Sequence, residues 1–218
     1  TLRFLYDGPH DEFKKALYSL GMTPLPPYIK REPEPCDIED YQCIFAAKEG
    51  AVVAPAAGLH FSRSLITRLK IKGVKEAFVT IHSGLGAFRE IDVEDLTKHR
   101  MDSEQMDASQ ELVDTVNAAK DAGHQVCAVG TSVLRAIATA DSMGGHMKTY
   151  TGWTNKFIFP PYDFSVASSL VTNFHMPYST MLMMVAAFGG YELVMKAYNE
   201  AVKEGYRFGC YGDAMLIL

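Results

Sequence analysis

The stretch SSLVTNFHMPYSTMLMM, residues 168–184, passes from one kind of secondary structure to another. A β-like apolar run over Leu170–Phe174 ends in Asn173-Phe174-His175. Pro177 comes next, which lacks the N–H a strand ladder needs. Ser179-Thr180 then open a Met-rich run with helical character over Thr180–Phe188. A plain connector needs only turn formers. This one gathers an amide, an imidazole and two hydroxyls between Asn173 and Thr180. Met181, Met183 and Met184 read most simply as core filling. A strand, a polar junction and a helix form the repeating unit of an α/β layer.

The same unit recurs on either side. Val126–Val129 reads as a strand, and Gly130 turns it into a helix carrying Arg135. Upstream, Asp107 and Gln110 have the spacing of a capping box for a helix through Ala122, with Leu112, Val113, Val116 and Ala119 as its stripe. Glu76–Ile81 reads as a buried strand. Ser62 is placed to cap a helix over Arg63–Lys72, with Leu65, Ile66 and Leu69 on one face and Gly73 as its stop. Phe157–Phe159 reads as a further strand, and Tyr191–Glu204 as a last helix. The alternation predicts an α/β fold with a largely parallel layered sheet over residues 51–218.

Residues 1–50 differ. Most of the ten prolines lie there, in runs such as Pro24-Leu25-Pro26-Pro27 and Glu32-Pro33-Glu34-Pro35. Such a segment is neither regular helix nor central sheet throughout. Phe13, Leu17 and Leu20 have helical spacing with Gly21 as a stop, and Tyr41–Ala46 has strand character. Fifty residues bury little core alone, so this piece is expected to pack against residues 51–218. The chain starts at Thr1 rather than Met, which we read as a fragment of a longer protein.

Composition is that of a globular domain, 48% hydrophobic and 22% charged over 218 residues. No apolar run reaches membrane-spanning length, so a soluble protein with no membrane contact is expected. Cys36, Cys43, Cys127 and Cys210 show no CxxC or metal-ligand spacing and read as reduced cytosolic thiols. Net charge is −5, against broad nonspecific nucleic-acid binding. A local patch stays open, because Arg63, Arg68, Lys70, Lys72 and Lys75 fall close together; a solvated helix face is the blander reading.

The polar groups sit where strands end, which is where open α/β sheets place ligands. Four junctions share this character: Ala54–Phe61 with Gly58 and His60, His82–Phe88 with Gly84 and Gly86, Gly130-Thr131-Ser132, and Asn173–His175. Each supplies free N–H groups or small hydroxyls suited to a carboxylate or similar anion. Taken singly each has an ordinary reading: a tight turn for Gly84 and Gly86, a cap for Gly130 and Thr131, a satisfied buried histidine for His60 or His82. Gly84 and Gly86 also lack the third glycine of a dinucleotide loop. Four together suggest convergence on one pocket.

Longer words then carry a resemblance. They are Pro24-Leu-Pro-Pro-Tyr-Ile-Lys-Arg31, Tyr41-Gln42, Ala57-Gly-Leu-His-Phe61, Thr172-Asn-Phe-His175, Ser179-Thr180, Tyr206-Arg-Phe208 and Tyr211-Gly-Asp-Ala-Met215. In this order they resemble the S-adenosylmethionine:tRNA ribosyltransferase-isomerase family of queuosine biosynthesis, as a divergent and N-terminally incomplete member. The resemblance implies an α/β catalytic domain interrupted by a β-barrel domain. Residues 1–50 match the end of that barrel, and residues 51–218 the catalytic domain.

The implied reaction moves the ribosyl group of S-adenosylmethionine to 7-aminomethyl-7-deazaguanine at the wobble position of tRNA. Epoxyqueuosine forms, and adenine and methionine leave. Such chemistry needs a base for the acidic proton beside the sulfonium and an acid near adenine. It also needs donors for carboxylate and ribose, and a pocket for an extruded base. His175 is the first choice for acid/base work, with His60 and His82 next; capping of the next helix is the structural alternative for His175. Asp213 is placed to meet a cationic amine, or to cap a turn. Asn173 and Thr172 orient ribose or base, and Ser179-Thr180 offer a helix N-terminus. Arg135 and Arg207 suit a carboxylate or phosphate, or a structural ion pair, and Tyr211 joins the substrate-binding set. No metal is required, and a cytoplasmic monomer is expected.

This chain departs from four of the family's words at polar sites. Ala56 stands where the family has Thr. Ser83 and Ala87 alter its His-Val-Gly-x-Gly-Thr-Phe word. Asp102 replaces His in Met-His-Ser-Glu. Gly130-Thr-Ser-Val-Leu-Arg135 has one hydroxyl fewer. They keep open a paralogue that binds S-adenosylmethionine or RNA without transfer. A metal-dependent hydrolase built on the histidines has little support, because no HxxxH or HxH pair exists.

Overall fold

The computed structural model describes residues 3–142 and 144–218. Helices α1 (His10–Leu20), α2 (Asp37–Asp40), α3 (Ala56–Leu59) and α4 (Arg63–Ile71) come first. Strands β1 (Thr80–Ile81) and β2 (Glu104–Ala108) lead into α5 (Gln110–Asp121), β3 (Cys127–Val129) and α6 (Thr131–Ala140). A short hairpin, β4 (Asp141–Ser142) and β5 (His146–Met147), precedes β6 (Tyr150–Thr154). The chain closes with β7 (Ser169–Asn173), α7 (Thr180–Gly189), α8 (Tyr191–Lys203) and β8 (Ala214–Ile217). Cys36, Cys43, Cys127 and Cys210 are free thiols.

The fold is mixed α/β, but the sheet is not largely parallel. One three-stranded sheet runs β1-β2-β6 with both pairings antiparallel. A second runs β3-β7-β8, in which only β3 and β7 are parallel. The cause lies in the connections. A single crossover helix returns a chain to its starting end and gives a parallel neighbour. Between β7 and β8 there are two helices, α7 and α8, so β8 enters from the opposite end. Between α6 and β6 the β4–β5 hairpin adds reversals of its own.

Helix α6 lies between the two sheets. It touches β1, β2 and β6 on one side and β3 and β7 on the other. Seven of its ten residues are buried, including Leu134, Ala136, Ile137, Ala138 and Ala140. A helix buried on nearly all sides needs apolar residues on nearly all sides, and its alanines keep the sheets close. Met106, Leu134, Ile158, Leu170 and Val185 are the largest fully buried apolar side chains around it. Among the described residues no single helix is long and apolar enough to cross a membrane.

Local chemistry explains where elements begin. Ser62 caps α4, accepting from the Leu65 N–H at 3.1 Å, as its position suggested. The capping box expected at Asp107 is absent. Asp107 is paired within β2, where it holds Lys48 at 3.1 Å and accepts from Thr151 at 2.9 Å. Ser109 caps α5 instead, accepting from the Leu112 N–H at 3.3 Å. That cap also shortens the strand expected over Glu76–Ile81. Thr80 pairs with Asp107, so Val79 would face Ala108, the last residue of β2, and residues before it would run into the capped turn.

Two expected strands do not form. Phe157–Phe159 is irregular, with Phe157 stacked on His99 at 4.8 Å and on Phe159 at 5.0 Å. Tyr41–Ala46 is built from turns, with the Ala46 N–H bonded to the Cys43 carbonyl at 3.2 Å. Only part of residues 3–50 packs against the rest of the chain, since helix α1 has no buried residue. The Tyr28 hydroxyl lies 3.0 Å from the Cys210 thiol and accepts from the Cys210 N–H at 2.9 Å. Arg31 grips the buried Asp37 at 2.6 and 2.8 Å, and the Tyr211 hydroxyl donates to the same carboxylate at 2.8 Å. These contacts fasten the proline-rich segment to the turn at 207–213.

The cap assignment is directly testable. Ser109→Ala should lower the unfolding free energy by about 1 kcal/mol and loosen exchange of the first-turn amides of α5. Asp107→Ala should leave those amides as protected as in the wild type. Urea titrations with residue-resolved hydrogen exchange measure both.

Candidate functional site

Because β3 and β7 are parallel, their C-terminal ends lie on one edge. Gly130 comes directly after β3 there, and Asn173 ends β7. Gly130 has φ 100°, a conformation open to glycine at little cost. Its N–H donates to the Val171 carbonyl at 2.8 Å, and a Cβ at Gly130 would sit 3.7 Å from that of Ala57. Helix α3, holding Ala57 and Gly58, packs on β7. Thr131, buried, and Ser132, half-buried, open α6 beside it. Two of the four junctions therefore touch at the edge that carries the third.

The remaining junction is tied in by charge. Arg135, one turn beyond Thr131, forms a buried ion pair with Glu104 of β2. Glu104 also accepts from the Gly84 N–H at 3.2 Å and from the Ser83 hydroxyl at 3.4 Å. Burial pulls the Arg135 guanidinium down to about 10, still charged at neutral pH. Its charge is answered inside the protein, so the structural alternative for this residue is realised. Ser83 is further fixed by its carbonyl, which accepts from the N–H groups of Val52 and Val53. The His82 N–H donates to the Gln105 carbonyl at 2.9 Å, and its buried Nδ1 has no partner among the described residues. Gly50 passes so close that a Cβ there would lie 2.8 Å from this nitrogen. Asp102, which replaces the family's His, pairs with Arg89 at 3.0 and 3.2 Å and leaves no room for a side chain at Gly86. Gly84 has open space around it.

The junction after β7 is the most buried. His175 Nε2 and the Thr172 hydroxyl share a hydrogen bond of 2.7 Å. The His175 N–H donates to the Tyr198 hydroxyl at 2.9 Å. Burial lowers the imidazole to about 4, so it is neutral at pH 7. Asn173 is 1% exposed; its amide donates to the Gly209 carbonyl at 3.0 Å, while its oxygen has no partner among the described residues. An orphaned buried acceptor costs free energy unless a ligand or water meets it. Ser179 caps α7, accepting from the Leu182 N–H at 3.2 Å, and Thr180 is buried at the first position. Tyr178 before it is exposed at φ 59°, a strained setting for a residue with a side chain.

Other expected site residues have local employment. Asp213 accepts from the Arg207 N–H at 2.8 Å, the turn-capping alternative. The Arg207 side chain is 76% exposed and 3.8 Å from that carboxylate. Tyr211 spends its hydroxyl on Asp37. His60 is exposed at the end of α3. A depression of about 320 Å³ lined by Ile91, Asp92, Val93, Glu94, Leu96, Tyr178 and Met183 borders the α7 cap at Ser179. Glu104 and Asp37 were missed. Glu104 had a signal, standing in the same word as Asp102; Asp37 looked like one more charge in a local cluster with Arg31 and Glu34, and its tie to Tyr211 leaves no trace in the sequence. No group of three or more His, Cys, Asp or Glu suited to a metal occurs among the described residues.

Comparison with known proteins gives consistent matches. A family model described as queuosine biosynthesis protein matches residues 1–217. A Parabacteroides distasonis protein named S-adenosylmethionine:tRNA ribosyltransferase-isomerase is 74% identical over 218 residues, 100% of this chain and 62% of its own length. One of the same name from Phocaeicola vulgatus is 67% identical with the same coverage. A crystal structure of S-adenosylmethionine tRNA ribosyltransferase from Thermotoga maritima, 42% identical, matches with a TM-score of 0.62 over 74% of this chain and 51% of that one. The chain thus spans 62% of the length of these curated relatives.

The state of His175 makes a prediction about stability. The fold holds the imidazole neutral, so between pH 6.5 and about 4 the unfolded chain binds the extra proton. Stability is then full above that window and falls as pH drops through it, by up to about 3 kcal/mol from this group. His175→Gln should lose this component. Urea titrations of both proteins at pH 7.5, 5.5 and 4.5 should show a steeper acid loss in the wild type.

Proposed function

The chain belongs to the queuosine biosynthesis protein family, and from that premise we propose that it takes part in S-adenosylmethionine-dependent ribosyl transfer to tRNA. The acceptor is the aminomethyl nitrogen of 7-aminomethyl-7-deazaguanine at the wobble position. Adenine leaves as the ring carbon–oxygen bond opens, the aminomethyl nitrogen bonds to a ribosyl carbon with loss of a proton, and a new carbon–carbon bond closes the cyclopentane. The carbon–sulfur bond to methionine breaks as the epoxide closes, giving epoxyqueuosine. S-adenosylmethionine is the ribosyl donor, and no metal takes part. The same reading carries a cytoplasmic monomer.

The observation that carries the mechanistic part is the neutral, buried His175 held by Thr172 at 2.7 Å. At pH 7 it carries a lone pair rather than a charge, as a base beside a sulfonium cation must. A cation arriving next to it also favours the neutral imidazole. Burial excludes water, which strengthens the attraction of fixed dipoles for the developing charges. Asn173 then offers its unpartnered oxygen to a ribose hydroxyl or base N–H. Thr131, Ser132 and Thr180 contribute N–H and hydroxyl donors at two helix starts, and Ser179, whose hydroxyl donates to the Met176 carbonyl and accepts from the Leu182 N–H, fixes the second. Thr172 positions the imidazole. His82, with an unpartnered Nδ1, is the second titratable group of this assembly, suited to the adenine side. The division of the chain belongs to the same proposal: residues 1–50 are the last part of a β-barrel domain, without a barrel strand of their own, and residues 51–218 belong to the catalytic domain.

Single-turnover adenine release, with S-adenosylmethionine and tRNA carrying the deazaguanine precursor, tests this. His175→Ala should slow the chemical step by roughly 10²–10⁴-fold, with a much smaller change in S-adenosylmethionine affinity. His175→Gln keeps the size and a hydrogen-bonding end but cannot relay a proton. Near-normal turnover in a folded His175→Gln protein would move the assignment to His82 or His60.

A further inference from the structure

Between Ala51 and Lys75 the chain has no Asp or Glu, yet it carries Arg63, Arg68, Lys70, Lys72 and Lys75. The whole chain has a formal net charge of −5, so this is a sharp segregation of charge. All five cations are exposed, on α4 and the turn after it. Among the described residues only Lys70 of the five has a carboxylate partner, Glu76 at 2.5 Å. Arg68 and Lys72 are four apart and share one stripe, where like charges repel. Three residues beyond Lys75, Phe78 is 56% exposed, its ring 6.0 Å from that of Phe45. Arg63 and Lys70 lie on the other side of α4 from Arg68 and Lys72, so the unanswered charge nearest the open aromatic ring is the Arg68–Lys72 stripe with Lys75.

Its position adds to this. Helix α4 begins directly after α3 and His60, and α3 packs on β7 beside Gly130. We propose that the stripe of Arg68 and Lys72, continued by Lys75 and Phe78, holds the phosphate backbone of the RNA whose modified base enters the junctions beside it. The inference rests on the tRNA reading above and says where the RNA lies. A polyanion gains most where cations are clustered and lack counter-ions, since each neutralised phosphate releases bound salt. Elsewhere the acidic excess repels RNA, which confines binding to this side. An anionic lipid surface fits less well: Leu65, Ile66 and Leu69 are half-buried and the exposed Ile71 stands on another side of α4, so the helix has no continuous free apolar stripe.

Binding of a tRNA transcript, followed by fluorescence anisotropy across a salt series, tests the assignment. The variant combines Arg68→Ala, Lys72→Ala and Lys75→Ala. The control combines Lys15→Ala, Lys148→Ala and Lys196→Ala, three exposed lysines elsewhere. The first should reduce the slope of log K against log salt by about 2 to 3, near 0.9 for each lost phosphate contact. It should also weaken binding at least tenfold near 0.1 M salt, while the control matches the wild type and S-adenosylmethionine affinity is unchanged. Lys72→Glu, a single exposed change, serves if the triple variant melts early and should lower the slope by about 1 to 2. Wild-type slope and affinity in a folded variant would overturn the proposal, as would patch-dependent binding to phosphatidylserine vesicles with no binding to tRNA. Patch-dependent tRNA binding without adenine release would keep the surface and overturn the transfer reading. Adenine release with an unchanged slope would do the reverse.

Discussion

The buried ion pair between Arg135 and Glu104 is the contact on which the assembly depends. Helix α6 has sheets on both sides, so a guanidinium on it has no route to water. Left alone, such a charge would cost several kcal/mol. Glu104 answers it and has lone pairs left for the Gly84 N–H and the Ser83 hydroxyl. The loop after β1 is thereby fixed to the helix whose first turn lies at the end of β3. Removing either partner would leave the other buried and unpaired, and would free that loop.

A second polar cluster does the same work at the end of β7. The Asn173 amide reaches the Gly209 carbonyl, and the Gly209 N–H donates to the Phe174 carbonyl at 2.8 Å. The turn at 207–213 is therefore held from the inside by β7. From the outside it is held by Tyr28, and by Asp37 through Tyr211. Arg31, the backbone N–H of Glu34 and Tyr211 keep the Asp37 carboxyl well below its usual range, with Arg31 the largest influence. The proline-rich segment can make these contacts because its prolines need few ladder hydrogen bonds and hold their extended shape cheaply.

Much of the fold was legible. Helical periodicity with Ser62 and Gly73 marked α4, and the polar end of Leu170–Phe174 marked the β7 junction. The rest required knowledge of distant partners. Asp107 and Ser109 both suit a cap, and only the pairing of β2 with β6 decides between them. Residues 150–154 and 214–217 carry too little alternation to declare themselves strands, and each exists through its partner. At the site, His175 and Asn173 were visible as polar residues in an apolar setting. Asp213, Arg207 and Tyr211 looked equally chemical but serve a turn and a clasp. A partner many residues away leaves no periodic trace, which hides the pairing of Glu104 with Arg135 and of Asp37 with Tyr211.

The proposed chemistry requires the junctions at Ala57–His60, His82–Gly84, Gly130–Ser132 and Asn173–His175 to form one site. Amide chemical shifts recorded while S-adenosylmethionine is added bear on this without an intermediary. A single site predicts concerted shifts at all four, saturating with one dissociation constant and without added metal. Shifts confined to one junction, or saturating at different concentrations, would contradict it.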